Sequence, residues 1–301
     1  MRPRSRQPRP STAHLLATLL AATAATACLQ PQGSADPVRF PSPFQIIAHR
    51  GASAYAPENT LAAFRRAREL GAVEVELDVQ LTADDRVILF HDKTLDEKTG
   101  HSGRVRDHTA AELEAVDIGT WFDAAHPDVP ERFAGTGLDL LEDLFEAMGR
   151  AFVYHVELKD GEPGLPAATL ADIDRFSLRD RVVVTSFRLD QLERMQALAP
   201  ELPICLLIDP VDRRDETIEA WIDRAAAMGF HEVGVASREL TRAHVERAHD
   251  LGLWIRAWRI KGPDDMQHAI DVGSNGMTID WPERLVQRLL EHAGSAQHLA
   301  R

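Results

Sequence analysis

The amino-acid sequence predicts an α/β chain, a (β/α)8 TIM-type barrel with a small inserted subdomain after the second strand. Three observations predict it. Eight short apolar runs recur along the chain, with helix-length amphipathic stretches between them. Glycines follow the ends of those stretches. One further apolar run returns too early for a parallel crossover, and a long polar excursion comes after it. The 301 residues fit two domains of ~150 residues or one barrel of ~250. The strand count favours the barrel, because an open doubly wound sheet usually has fewer strands.

The predicted barrel strands are Gln45–Ala48, Glu74–Val79, Phe152–Leu158, Arg181–Thr185, Pro203–Leu207, His231–Ala236, Leu253–Trp258 and Gly276–Asp280. Helices are predicted over Thr60–Leu70, Leu189–Leu198, Thr217–Met228 and Thr241–Leu251, with Gly71, Gly229 and Gly252 at three of their ends. Asn59 reads as the N-cap of the first and Pro282 as the start of the last helix. Val87–Phe90 lies only a few residues beyond the second strand, so its return must be antiparallel. Leu77–Phe90 therefore reads as a hairpin with Thr82–Asp85 at its tip, which brings His91 back to the level of Glu76 and Asp78. The excursion from about 93 to 139 is too long for a βα loop and reads as the inserted subdomain.

The start of the chain reads as a targeting segment. Arg2, Arg4, Arg6 and Arg9 form a basic region, Leu15–Ala27 an apolar one too short to span a membrane, and Ala25-Thr26-Ala27 an A-x-A cleavage pattern. Cys28 follows at once, as in a lipoprotein signal whose cysteine is acylated, although Leu is the favoured residue at position 25. The predicted layout is a signal over 1–28, a linker over 29–43, the barrel over 44–293 and a tail over 294–301. The chain is expected to be exported, either periplasmic or anchored to a membrane through lipidated Cys28. Cys205 is the only other cysteine, so no intramolecular disulfide is expected in the mature chain.

Charge narrows the partners. The chain has 34 basic and 47 acidic residues, a net −13. Without the first 28 residues, 30 basic ones face the same 47 acidic ones, a net −17. So acidic a body is a poor match for nucleic acid. An anionic small substrate would need a local island of positive charge or a metal.

Strand alternation places Glu76 and Asp78 on one face at the C-terminal end of their strand, where barrel enzymes build their sites. Two carboxylates so close repel unless a cation lies between them, and oxygen ligands favour Ca²⁺ or Mg²⁺ over Zn²⁺; a solvent-exposed acidic strand end is the other reading of the pair. His155, Glu157 and Lys159 share the inward face of the third barrel strand. Glu157 is placed to complete a metal site with Glu76 and Asp78, and Lys159 to hold a phosphate oxygen. A self-contained Glu157–Lys159 ion pair or a Schiff-base lysine are the other readings of that pair. Arg50 can fork onto phosphate oxygens beside Gly51. His49 and His91 end strand segments aimed at the same mouth, as a general acid and base would. Trp258 is placed to wall off a substrate; Asp280 reads equally as a loop tether or a site residue, and Glu58 reads as a group at the edge of the site.

These residues together resemble the glycerophosphodiester phosphodiesterase family. The matching pieces are Ala48-His49-Arg50-Gly51, Pro57-Glu58-Asn59-Thr60, Glu76-Leu77-Asp78, Phe90-His91-Asp92, Glu157-Leu158-Lys159, Ser186-Phe187, Ala257-Trp258 and Gly276 through Pro282. Each is short, but their order over residues 45 to 285 is specific. The resemblance implies a (β/α)8 barrel with an insertion after His91-Asp92. It implies that Glu76, Asp78 and Glu157 ligate one Ca²⁺ or Mg²⁺, that His49 and His91 form the acid/base pair, and that Arg50 and Lys159 hold the phosphate. The implied reaction releases an alcohol and sn-glycerol 3-phosphate, through attack of the glycerol 2-hydroxyl on phosphorus and opening of the cyclic phosphate by water. A lysophospholipase D or sphingomyelinase D-like activity on the same fold is an alternative, and a non-catalytic phospho-ligand-binding lipoprotein is another.

The chain departs from the family pattern at Glu97-Lys98-Thr99, where Arg-Thr-Thr is usual. It also departs at Gly137-Leu138-Asp139-Leu140, at His155, at Arg259-Ile260-Lys261 in place of Thr-Val-Asn, and at Thr278-Ile279. None removes a catalytic candidate. They bear on substrate preference more than on reaction class.

Overall fold

The computed structural model of the chain describes residues 44–209 and 216–299. The predicted leader and linker, Cys28 included, lie outside the described residues. Eight parallel strands close into a barrel: β1 (Gln45–Ala48), β2 (Glu74–Leu81), β4 (Val153–Leu158), β5 (Val182–Ser186), β6 (Ile204–Ile208), β7 (Glu232–Ala236), β8 (Trp254–Trp258) and β9 (Gly276–Ile279). Closure comes where β1 pairs with both β2 and β9. The short β3 (Val87–Leu89) runs antiparallel on β2, with Val79 opposite Leu89 and Leu81 opposite Val87. The hairpin is therefore the one expected. Its turn is closed by the Thr82 N–H donating to the Arg86 carbonyl at 2.9 Å.

The barrel strands are buried on both faces, which is why they read as near-continuous apolar runs. Val75, Leu77, Val79, Val156, Leu158 and Val184 face outward and pack against helix residues such as Phe64, Leu165 and Leu192. Each such side chain contributes about 1.5–3 kcal/mol through burial. The opposite face points into the barrel, where Val153, Val183, Cys205 and Leu207 form a separate small cluster. That interior is mostly polar around the cluster, and the polar residues are the ones that matter for chemistry.

The first crossover helix spans Leu61–Glu69, and its N-cap is Thr60, whose side chain accepts from the Ala63 N–H. Asn59 is thus not the cap expected from the sequence; its side chain is used elsewhere. Thr60 has the extended backbone a cap needs (φ −116°, ψ 156°), whereas Asn59 is left-handed at φ +58°. Gly71, Gly229 and Gly252 all have positive φ one residue past the C-caps of their helices, as C-terminal glycines should. The final helix, Pro282–Leu299, begins at Pro282 as expected and continues through most of the stretch read as a tail.

Residues 93–139 form a folded unit rather than a loop. Its own cluster contains Leu95, Val105, Leu113, Val116, Ile118 and Leu138, and joins Ile88 and Phe90 at the base of the hairpin. Short helices span Ala110–Glu114 and Gly119–Ala125. The chain folds so tightly that a Cβ on Gly119 would lie 1.7 Å from the Phe133 carbonyl oxygen. Among the described residues no helix is long and apolar enough to cross a membrane.

Candidate active site

The site begins at the end of β1. Gly51 turns the chain with φ +81°, and a Cβ there would lie 2.7 Å from the Ala63 carbonyl carbon, so no larger residue fits. Arg50 just before it is also left-handed, φ +53°, an uncommon conformation for a non-glycine residue. The turn aims the Arg50 N–H at Glu76 Oε2, 3.0 Å away. It also brings the guanidinium back over β2. There Nε lies 3.0 Å from Asp78 Oδ2 and Nη1 donates to Glu58 Oε1 at 3.0 Å.

Glu76 and Asp78 share the inward face of β2, and Asp78 stands opposite Glu157 of β4 in register. Oxygens of Glu76, Asp78 and Glu157 all lie within 4.8 Å of one another, and all three residues are buried. Lys159 Nζ donates to Glu157 Oε1 at 2.8 Å and lies 3.5 Å from Asp78 Oδ1. Asn59 clamps Asp78: its Nδ2 donates to Oδ2 at 2.8 Å, and its Oδ1 accepts from the Asp78 N–H at 3.0 Å. Glu76 Oε1 and Asp78 Oδ1 are buried with no hydrogen-bond partner. Three converging carboxylates with two orphaned oxygens are a donor set that fits one hard divalent cation.

The electrostatics agree with that fit. Burial and then the Asp78 charge push Glu76 up to about 8. Burial opposes the charge of Asp78 too, but Arg50 and Lys159 outweigh it and hold that carboxyl well below its ordinary value. Lys159 is held above the usual lysine value, because Glu157 and Asp78 overcome the cost of its burial. That favours a charged phosphate ligand over a neutral Schiff-base lysine.

The two candidate imidazoles are each held by a carboxylate. His49 Nδ1 lies 2.6 Å from Asp280 Oδ1, and His91 Nδ1 lies 2.6 Å from Asp92 Oδ1. Ser53 Oγ donates to the same Asp280 oxygen at 3.0 Å. An ionised carboxylate only accepts, so each Nδ1 carries the hydrogen and each Nε2 keeps its lone pair in the neutral ring. His49 Nε2 is 3.9 Å from Glu76 Oε2. Lys98 of the insertion donates to Asp92 Oδ1 at 3.2 Å and to Glu58 Oε1 at 2.8 Å, under the face of Trp121. A continuous chain of ion pairs thus runs from Arg50 through Glu58, Lys98 and Asp92 to His91.

A cavity of about 370 Å³ is lined by His49, Arg50, Glu76, His91, Glu157, Lys159 and Trp258, with Asp280 also on its wall. Asp78 sits behind that wall. All eight site residues expected from the sequence are therefore brought together. His155 is not at the mouth. It lies one pleat deeper, with Nδ1 2.6 Å from Arg256 Nη1 and Nε2 3.0 Å from Glu74 Oε2. Asp92 and Lys98 were not foreseen, Asn59 was misread as a cap, and Glu58 and Asp280 are more central than expected. A carboxylate directly after His91 was the one local signal for Asp92.

A family model described as the glycerophosphoryl diester phosphodiesterase family matches residues 49–284. A glycerophosphodiester phosphodiesterase of Caldanaerobacter subterraneus subsp. tengcongensis is 34% identical over 245 residues, covering 80% of this chain and 96% of that one. One from Bacillus subtilis is 29% identical, covering 84% and 89%. A solved structure from Silicibacter pomeroyi DSS-3 superposes with a TM-score of 0.77 at 27% identity, covering 86% of this chain and 97% of its own.

Proposed function

The chain belongs to the glycerophosphoryl diester phosphodiesterase family, and from that premise we propose that it hydrolyses glycerophosphodiesters to sn-glycerol 3-phosphate and an alcohol, with a divalent cation and a histidine pair. The observation that carries the reading is the pairing of two carboxylate-braced imidazoles with a three-carboxylate cluster and two cations on one cavity.

Arg50 and Lys159 receive the phosphoryl oxygens, one by a planar fork and one as a point charge. Glu76, Asp78 and Glu157 would hold one Ca²⁺ or Mg²⁺, which when bound supplies Lewis-acid stabilisation of charge growing on phosphorus oxygens. One imidazole takes the proton of the attacking glycerol 2-hydroxyl through Nε2, and the other gives its proton to the departing alkoxide. The resulting cyclic phosphate is opened when water adds with the two roles exchanged. Asp280 and Asp92 keep each ring turned and stabilise its charged form during transfer.

A binding protein would need Arg50 and the cation but not two braced imidazoles. A lysolipid or sphingomyelin substrate would need an apolar rim. Among the described residues the exposed large hydrophobics are Val73, Leu198, Leu251 and Leu290, and none lines the cavity. We further read the chain as exported through residues 1–28, with Cys28 as a candidate membrane anchor; mass spectrometry of the mature N-terminus decides that point.

The test is glycerol 3-phosphate release from glycerophosphocholine by the protein lacking its leader. Release that needs Ca²⁺ or Mg²⁺ and stops with chelator is expected. Absence of release under both metals, from this and other glycerophosphodiesters, contradicts the reading.

A further inference from the structure

The proposed activity leaves the departing alcohol unspecified, and a second cavity bears on it. This chamber, about 810 Å³, adjoins the first: His91, Lys159, Trp258 and Arg259 line both, whereas His49 lines only the smaller. A diester with its phosphate on Arg50 and Lys159 therefore sends one arm past His91 into the larger space. That space is more than a glycerol unit needs.

Most charges on the chamber wall are already engaged. Arg104 pairs with Asp107, Arg106 with Asp85 and Glu162, and Arg188 with Asp190. Asp160 accepts two backbone N–H groups, and Asp92 is taken by His91 and Lys98. Asp209 also has a partner. Among the described residues, that leaves Lys93 and Arg259 as lining cations with no acidic partner, against Glu97 as the one unpartnered anion.

Arg259 stands out further. Its guanidinium lies 4.7 Å over the Trp258 ring, and its backbone is left-handed at φ +58°. An arginine is held in that conformation only where the surroundings impose it. With Arg259 in place, a cation already covers a face of the indole on which a quaternary ammonium would otherwise sit. A choline-type head group would meet repulsion there. A phosphate or carboxylate would meet a pre-placed, planar donor set.

Resting on the diesterase reading, we propose that Arg259 is a specificity-determining residue that receives an anionic group, a phosphate or carboxylate, carried by the leaving alcohol.

The test compares glycerophosphoinositol 4-phosphate, glycerophosphoinositol and glycerophosphocholine at one free divalent-metal concentration, reading kcat/KM. The expected ratio of phosphorylated to unphosphorylated inositol diester is about tenfold or more, with the choline diester lowest. Arg259→Gly should bring the ratio towards one, and its backbone suits φ +58°, so the fold is retained. Arg259→Lys should keep much of the preference. A wild-type ratio at or below one, or a ratio that Arg259→Gly leaves unchanged, overturns the proposal. Hydrolysis of none of the three overturns the diesterase reading itself and the proposal with it.

Discussion

The barrel interior carries two polar layers one pleat apart, built from the same residue types and put to opposite uses. The upper layer holds Glu76, Asp78, Glu157, Lys159 and Arg50. The lower holds Glu74, His155, Arg256, Thr185 and Glu232, all buried. In the lower layer Arg256 donates to His155 and Thr185 and lies 3.4 Å from Glu232. His155 accepts that bond on Nδ1, so its Nε2–H goes to Glu74. Burial, with the Glu232 charge, raises Glu74 well above the usual carboxyl value. Burial and Arg256 together lower His155 well below the usual imidazole value. The lower layer thus moves towards neutrality by shifting protons. In the upper layer Asp78 keeps its charge beside Arg50 and Lys159, while burial and the Asp78 charge raise Glu76. Both layers leave buried carboxylate oxygens without partners, but among the described residues only in the upper one do three carboxylates converge within 4.8 Å. Convergence of the carboxylates, rather than residue type, separates the floor from the mouth.

The comparison breaks most sharply through the histidines. His91→Ala or His49→Ala should lower kcat by about 10²–10⁴-fold with the melting temperature nearly unchanged, the usual weight of a lost acid or base. His155→Gln should do far less to turnover. Equal losses from all three would erase the distinction between layers.

Next in size is the floor itself. Arg256→Met leaves Glu232 and His155 without their partner and should cost about 3–5 kcal/mol in denaturant unfolding, as a broken buried pair does. Lys159→Met, at the half-open mouth, should instead act mainly on kcat/KM.

A smaller effect is expected from the carboxylate behind an imidazole. Asp280→Asn keeps the shape but loses the charge that orients His49, and kcat should fall about 10- to 100-fold, measured with the thermal midpoint as control. No change in kcat would make Asp280 a loop tether after all.

The smallest expected effect is a pH slope. His155 binds its proton less readily when folded, so the unfolded chain takes up that proton first as pH falls below about 6.5. Its contribution to stability is present above that value and is lost on acidification, at about 1.4 kcal/mol per pH unit at the steepest. Glu74, whose folded value is raised, acts with the opposite sign, adding stability as pH falls towards the ordinary carboxyl value. Denaturant unfolding of the wild type and His155→Gln between pH 5 and 7 should differ by this one-proton slope.

Much of this was legible in the sequence because period two is a strong signal. Glu76 with Asp78, and His155 with Glu157 and Lys159, declare their shared faces from spacing alone. The hairpin was legible because a parallel return needs more chain than Gln80–Arg86 provides. What escaped depends on closure. Asp280 meets His49 only because β9 lies beside β1, and Lys98 meets Glu58 only because the insertion folds back over the mouth. The depth of His155 escaped for a related reason: alternation tells which face a residue takes but not whether that level of the barrel is sealed. Asn59 looked like a cap because its neighbour Thr60 takes that role and frees it to clamp Asp78.

The most direct test of the two-layer account is calorimetric titration of Ca²⁺ and Mg²⁺ into the metal-free protein, alongside Glu157→Gln and Glu74→Gln. The account predicts one ion per chain, with uptake near neutral pH releasing a proton, since Glu76 is raised to about 8 and must ionise to bind. It predicts loss of binding in Glu157→Gln and retention in Glu74→Gln. Binding that survives Glu157→Gln, or that depends on Glu74, would contradict it.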